Sequence, residues 1–131
     1  MGAYLSNPVT TKESEDGVGP GVRYGLSSMQ GWRMNMEDAH IARPELARGS
    51  GVGLYAVFDG HGGKEVAKFC AKYFPEEFMR AVSDNSSAHA VLPKVFHRMD
   101  NMLREERFSC ELQLLSKNGE EAARDGAGEG G

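Results

Sequence analysis

Two groups of side chains in this sequence could do chemistry together. One is Arg33 with Glu37 and Asp38; the other is Asp59-Gly60-His61. Carboxylates are hard oxygen donors of the kind that Mg²⁺ takes, with backbone carbonyls and water filling the rest of its shell. Asp59 could bridge two such ions, and Gly60 would let a backbone carbonyl come close to one of them. Glu37 and Asp38 would add oxygen through bound water. Arg33 offers a planar fork of donors suited to phosphate oxygens. His61, beside the cations, could give a proton to a leaving oxygen. Paired cations polarise a phosphoryl group and generate hydroxide near neutral pH, so the combination points to metal-assisted hydrolysis of a phosphate ester. Each piece also has a plainer reading. An Arg and a Glu four residues apart usually make a surface ion pair, and Asp-Gly is most often a turn. His40 reads as a hydrogen-bonded structural histidine, and His89 and His97 as solvated or structural.

These residues need a frame. Leu54 to Phe58 is a short apolar run closed by a glycine cluster, the pattern of a buried strand from about Gly53 to Phe58. Such a strand delivers Asp59 to its C-terminal edge, where a desolvated carboxylate is costly unless paired or bound to metal. Upstream, Val22, Tyr24, Leu26 and Ser28 alternate, which predicts a first strand over Val22–Met29. Gln30 to Arg33 reads as a turn, Met34 to Ile41 as a second strand, and 42–51, with Pro44, Gly49 and Gly51, as the loop of a hairpin. Residues 7–21 carry Pro8, Gly17, Gly19, Pro20 and Gly21 and read as a loop or extended arm. After Gly63 the period becomes helical, through Val66, Ala67, Phe69, Cys70, Tyr73 and Phe74. Pro75-Glu76-Glu77 resembles the first turn of a new helical stretch. A polar break at Ser83–Ser87 precedes a second long helix, marked by Leu92, Val95, Phe96, Met99, Met102 and Leu103; that stripe reads as core. From Gly119 the text is Gly-rich and acidic, and a disordered tail is expected. The division is therefore an arm over 1–21, a folded part over 22–116 and a tail over 117–131, with no internal repeat.

The chain has 131 residues, 26% of them charged and 40% hydrophobic, which suits one globular domain. A formal net charge of −4 without a basic patch argues against a nucleic-acid partner. Cys70 and Cys110 make no disulfide framework, so a reducing compartment is expected, and Cys70 reads as a small core residue. Residues 1–20 lack the apolar core of a signal peptide. No run approaches the roughly 20 apolar residues of a membrane helix. Met1 to Ser6 fits the N-myristoylation pattern with Gly2 as acceptor; one acyl chain gives weak, reversible membrane contact. His61-Gly62-Gly63 is not a lipase oxyanion loop, because no G-x-S-x-G follows. Nor does Gly60 to Gly63 complete the G-x-G-x-x-G spacing of a dinucleotide site.

Three ordered stretches carry a resemblance: Arg23 to Arg33, Met36 to His40, and Val57 to Gly63. They closely resemble the metal-dependent type 2C protein serine/threonine phosphatases, and the first six residues resemble the gamma-type animal members. The likeness covers residues 1 to about 80 and fades through the second helix. It implies an α+β class, as the N-terminal part of an α-β-β-α sandwich with two antiparallel sheets flanked by helices. It implies two Mg²⁺ or Mn²⁺ ions bridged by Asp59, one of them also held by the Gly60 carbonyl. Glu37, with Asp38 behind it, would hold metal-bound water; Arg33 would bind the substrate phosphate; His61 would be the general acid. Water or hydroxide on the metal would attack phosphorus directly, without a phospho-enzyme. Phosphoproteins are the implied substrates, a monomer the implied state, and cytoplasm or nucleus the implied location, with peripheral membrane association if Gly2 is acylated as in related members.

The family's remaining metal-ligating aspartates come from motifs that Asp84, Asp100 and Asp125 do not reproduce. The expectation is thus an N-terminal piece of a phosphatase that supplies half of the site and is inactive and marginally folded alone. About three strands are expected, with unpaired edges. The alternative is a non-catalytic binding or regulatory module.

Overall fold

The computed structural model describes residues 3–82 and 87–117. In chain order the elements are β1 (Tyr4–Gly19), β2 (Val22–Arg33), β3 (Ala39–Arg43), β4 (Leu54–Phe58), α1 (Glu65–Val82), α2 (Ala88–Arg104), a 3₁₀ turn (Glu106–Phe108) and α3 (Ser109–Lys117). The class is α+β, with two antiparallel two-stranded sheets, β1–β2 and β3–β4. The Gly2 acceptor, most of the polar break and the Gly-rich tail beyond 117 lie outside the described residues.

Residues 4–19 are not a loop. They form the longer strand of a hairpin, in continuous register from Gly19↔Val22 to Lys12↔Met29. Side chains gave no sign of it, because nearly all of β1 is solvent-exposed. Its order comes from main-chain pairing with β2. In β2 the expected alternation holds, with Val22, Tyr24, Leu26 and Ser28 on the half-buried side. The strand then continues through Gln30–Arg33 instead of turning. Gly31 absorbs the irregularity: it takes φ 67° opposite Val9, where the register shifts. That combination of a left-handed glycine and a slipped register is a β-bulge. The expected strand over Met34–Ile41 is shorter and later. Its first residues are an irregular crossing, held by the Gln30 amide, which donates to the Arg33 and Met34 carbonyls at 2.9 and 3.1 Å.

β3 and β4 form the expected hairpin, paired from Arg43↔Leu54 to Ala39↔Phe58. Inside the connecting loop Leu46 N–H donates to the Val52 carbonyl at 2.8 Å. β4 is buried on one face, not both. Leu54 faces the core, whereas Tyr55 and Val57 point away and Val57 is 76% exposed. Only one side of this sheet is covered by helices; on the other, Tyr24 of β2 reaches Tyr55 with ring centroids 5.9 Å apart.

α1 touches β3, β4, α2 and α3. It runs through Pro75 without a break, so no new helix starts there. An interior proline costs about 3 kcal/mol of helix stability. The offset is burial: Phe69, Phe74, Pro75 and Phe78 are all buried along α1, and each fully buried Phe contributes roughly 1.5–3 kcal/mol. α2 begins at Ser87, whose hydroxyl accepts from the Ala90 N–H at 3.3 Å, a side-chain N-cap. Its buried stripe is Val91, Val95, Met99 and Met102. Phe96, expected in that stripe, is largely exposed but meets Phe74 edge-on at 5.1 Å.

The sequence pattern did not announce α3. None of its nine residues is fully buried. It is tied down through Phe108, packed edge-on against Phe69 at 5.1 Å and Tyr73 at 5.3 Å. The second tie is Glu111, which accepts hydrogen bonds from the Lys72 ammonium and, at 2.5 Å, from the Tyr73 hydroxyl. Those bonds, Lys72's first, hold the Glu111 carboxyl below its ordinary value, and the same carboxylate raises Lys72 and Tyr73. Both cysteines are free thiols; Cys70 is half-buried and Cys110 exposed. Burial, then the Asp100 carboxylate, pushes the Cys70 thiol up. Among the described residues no helix is long and apolar enough to cross a membrane.

Candidate functional site

Antiparallel pairing decides where the chemistry sits. Ala39 pairs with Phe58 at the end of the β3–β4 ladder away from its loop. The residues just before Ala39 are Glu37 and Asp38; those just after Phe58 are Asp59 and Gly60. The register therefore brings the two sequence groups to one edge of one sheet. Asp38, Asp59 and His61 are exposed there, and Glu37 and Gly60 are partly covered.

Contact between the groups runs through Glu37. A Cβ added at Gly60 would lie 3.0 Å from the Glu37 carbonyl carbon, closer still to its oxygen, and 3.1 Å from Ala67 Cβ on α1. Only a glycine fits between these backbones. The sequence reading credited Gly60 with letting its carbonyl reach a metal; the structure adds a steric reason that needs no ligand. Further along the same turn, Gly63 N–H donates to Glu37 Oε1 at 3.0 Å. Glu37 Oε2 in turn faces Arg33 Nη2 at 3.7 Å, with the Glu37 side chain 15% exposed and Arg33 59%. That distance is an ion contact and not a bidentate fork, so by itself it contributes little stability. It also leaves the guanidinium plane directed largely to solvent, where it can meet an anion.

A groove of about 890 Å³ runs beside this edge, lined among others by Met34, Asn35, Glu37, Asp38, Gly63 and Lys68. Arg33, Asp59 and His61 lie outside its lining. The groove thus borders the candidate site without containing it.

The donor chemistry suits a hard divalent cation: carboxylate oxygens from Glu37, Asp38 and Asp59 and a carbonyl from Gly60. The number of donors does not complete a shell. Among the described residues, no group of three or more His, Cys, Asp or Glu side chains is placed to hold a metal ion. By their chemistry these residues fit as a contribution to an oxygen-ligated centre.

His40 does not match its expected role. Its Nε2 lies 3.6 Å from Glu15 Oε1 on β1, beyond hydrogen-bond distance, and the side chain is 42% exposed. His89 and His97 are exposed on α2. The residue that sequence reasoning passed over is Gly63; the available signal was a glycine pair where one turn residue would have been enough.

The profile described as Protein phosphatase 2C matches residues 22–122 of the chain. Protein phosphatase 1G of Homo sapiens is 57% identical over 121 residues, which are 88% of this chain and 22% of the relative. Probable protein phosphatase 2C 58 of Oryza sativa subsp. japonica is 48% identical over 120 residues, 88% of this chain and 31% of the relative. Probable protein phosphatase 2C 60 of Arabidopsis thaliana is 49% identical over 119 residues. The chain thus spans between 22% and 32% of the length of such relatives. With the profile covering most of the residues, and with both sequence groups meeting at one sheet edge, the chain belongs to the protein phosphatase 2C family.

Proposed function

We propose that the protein hydrolyses phosphoserine and phosphothreonine esters of other proteins with the help of two Mg²⁺ or Mn²⁺ ions, and that this chain carries one half of the site. The observation that supports it is the β3–β4 register, which sets Glu37 and Asp38 beside Asp59 and Gly60. Asp59, the Gly60 carbonyl, Glu37 and Asp38 are the residues that would hold the ions. When bound, the ions polarise the phosphoryl group and generate the nucleophile near neutral pH. Arg33 binds and orients the phosphate, its fork matching two phosphate oxygens. His61 gives a proton to the departing seryl or threonyl oxygen. Gly2 acylation would add weak, reversible membrane contact to an otherwise cytoplasmic or nuclear monomer.

The test is hydrolysis of a phosphoserine peptide by the full-length protein in Mn²⁺. EDTA should abolish the activity, and so should Asp59→Asn; turnover indifferent to EDTA refutes the proposal. A second reading, a binding module without activity, draws on the incomplete donor set among the described residues. Mn²⁺-dependent turnover by the full-length protein separates the two cases, and calorimetry with Mn²⁺ on the 131-residue chain measures how much of the site it holds, because ligand number and charge set affinity. Weak binding is expected of a half site. Tight binding of two ions would mean that the chain holds a complete one.

A further inference from the structure

Glu37 is gripped from two directions by a single turn. Gly60 lies against its main-chain carbonyl, and Gly63 N–H donates to its Oε1 at 3.0 Å across a sequence separation of 26. The second grip depends on an unusual backbone. Gly63 takes φ 129°, a region that side-chain-bearing residues rarely enter. A Cβ there would also stand 2.7 Å from Glu65 Oε1. Conformation therefore reserves position 63 for glycine, whereas the Glu65 carboxylate is the flexible end of a side chain and can move aside; in that conformation the Gly63 N–H reaches the Glu37 carboxylate.

An amide N–H on a carboxylate is a charge-assisted hydrogen bond. With Oε1 engaged by Gly63, rotation of the Glu37 carboxylate is restricted, and Oε2 is the oxygen on the Arg33 side. We infer that Gly63 is a positioning residue of the phosphatase site: its N–H fixes the Glu37 carboxylate so that one oxygen faces the ions and the phosphate. The inference rests on the proposed role of Glu37 in holding metal. It assigns a function to the second glycine of the pair, which touches no reacting atom itself.

The experiment is a double-mutant cycle in the full-length protein, read as Mn²⁺ affinity by calorimetry without substrate, with thermal midpoints measured in parallel. All variants carry Glu65→Ala, so that an alanine Cβ at 63 has room. Gly63→Ala should weaken Mn²⁺ binding on the order of 10- to 100-fold while Glu37 is present, the usual worth of a hydrogen bond to a charged group. In a Glu37→Ala background the same change should cost less than about twofold, because the partner is gone. Equal losses in both backgrounds, or no loss in either, overturn the inference and leave Gly63 as a structural staple. If Glu37→Ala alone leaves Mn²⁺ affinity unchanged, the role of Glu37 fails and the inference goes with it, a result distinct from the other two. Should Gly63→Ala not fold, Glu37→Asp takes its place, since it keeps the charge but draws the carboxylate back by one methylene. Faster exchange of the Gly63 amide proton must then accompany weaker Mn²⁺ binding; weaker binding with the amide still protected overturns the inference.

Discussion

Alanine at position 60 tests the geometry most directly. The added Cβ would stand 3.0 Å from the Glu37 carbonyl carbon, closer to its oxygen, and 3.1 Å from Ala67 Cβ. Ordinary C···O contacts lie at about 3.3–3.6 Å, so the turn must retreat from Glu37 by about 1 Å. It has little space for that, because the same Cβ also crowds buried Ala67 of α1. Forcing an extra methyl between well-packed groups costs about 1–3 kcal/mol. A shift of about 1 Å at a site of this kind costs on the order of 100-fold in rate. Two measurements follow. Urea denaturation of the chain in EDTA should show Gly60→Ala destabilised by that amount. Phosphopeptide hydrolysis by the full-length protein in saturating Mn²⁺ should show kcat/KM reduced by that factor. The EDTA condition decides between two reasons for the glycine. Were it needed only so that its carbonyl could reach an ion, stability without metal would be unaffected. Unchanged stability in EDTA refutes the steric argument, and wild-type kinetics refutes the importance of the turn's position.

Phe69→Ala should cost about 3–5 kcal/mol in urea denaturation, because Phe69 is 0% exposed and packs on Tyr73 and Phe108 at 4.6 and 5.1 Å; a loss under 1 kcal/mol would mean the α1–α3 seam is not core. His40→Ala should change stability by less than about 0.5 kcal/mol, as expected of a side chain whose one ion contact, to Glu15, is itself solvent-exposed, and a larger loss in the same assay would restore a structural role to it. The α3 attachment should depend on pH in a defined window. Glu111 titrates below its ordinary 4.5 in the folded chain, so the stability it contributes is present above 4.5 and lost as pH falls through the folded value. Lys72 and Tyr73 are raised above 10.5 and 10.0, so their contribution is present below 10.0 and lost only as pH rises through the folded values. Protection of the α3 amides, read as the ratio of intrinsic to observed exchange rate at each pH, should therefore be greatest between those limits, and Glu111→Gln should remove the acid limb; an acid limb that survives the substitution assigns it to other groups.

Side-chain patterns revealed those elements whose burial is one-sided. Val22, Tyr24, Leu26 and Ser28 in β2, and Val95, Met99 and Met102 in α2, were legible because one face of each element packs and the other is wet. β1 was not legible, since none of its residues is buried, its long middle stretch from Thr10 to Asp16 is polar on both faces, and the ladder to β2 orders it. α3 was missed for a related reason: besides one buried ring just before it and one carboxylate within it, only Leu112 and Leu115 pack on the core, a periodic trace of a single turn. Pro75 was misread as the start of a helical stretch because the preference of proline for a first turn was overridden by the aromatic face on which that turn lies. At the site, residue types pointed to oxygen ligation and phosphate, but their meeting depends on a strand register that no spacing in the sequence states.

That register explains why two motifs so far apart in the chain can act as one site. In an antiparallel hairpin, the entrance of the first strand lies beside the exit of the second, however the strands are joined. Each strand here has five residues, so the loop over 44–53 lies about 14 Å from the site edge at roughly 3.4 Å per residue. Changes in that loop need not disturb Glu37 or Asp59. The turn over 60–63 has no such freedom. It must clear the Glu37 carbonyl, deliver an N–H to the Glu37 carboxylate and start α1 within two further residues, so that Phe74 meets Phe58 of β4 and Phe96 of α2 while Phe69 meets Phe108. Packing of α1 therefore holds the turn in place, and the turn holds Glu37. The buried aromatics of α1 are thus coupled to the half of the site farthest from them in sequence, through a single loop that needs glycine at 60 for space and at 63 for its backbone conformation.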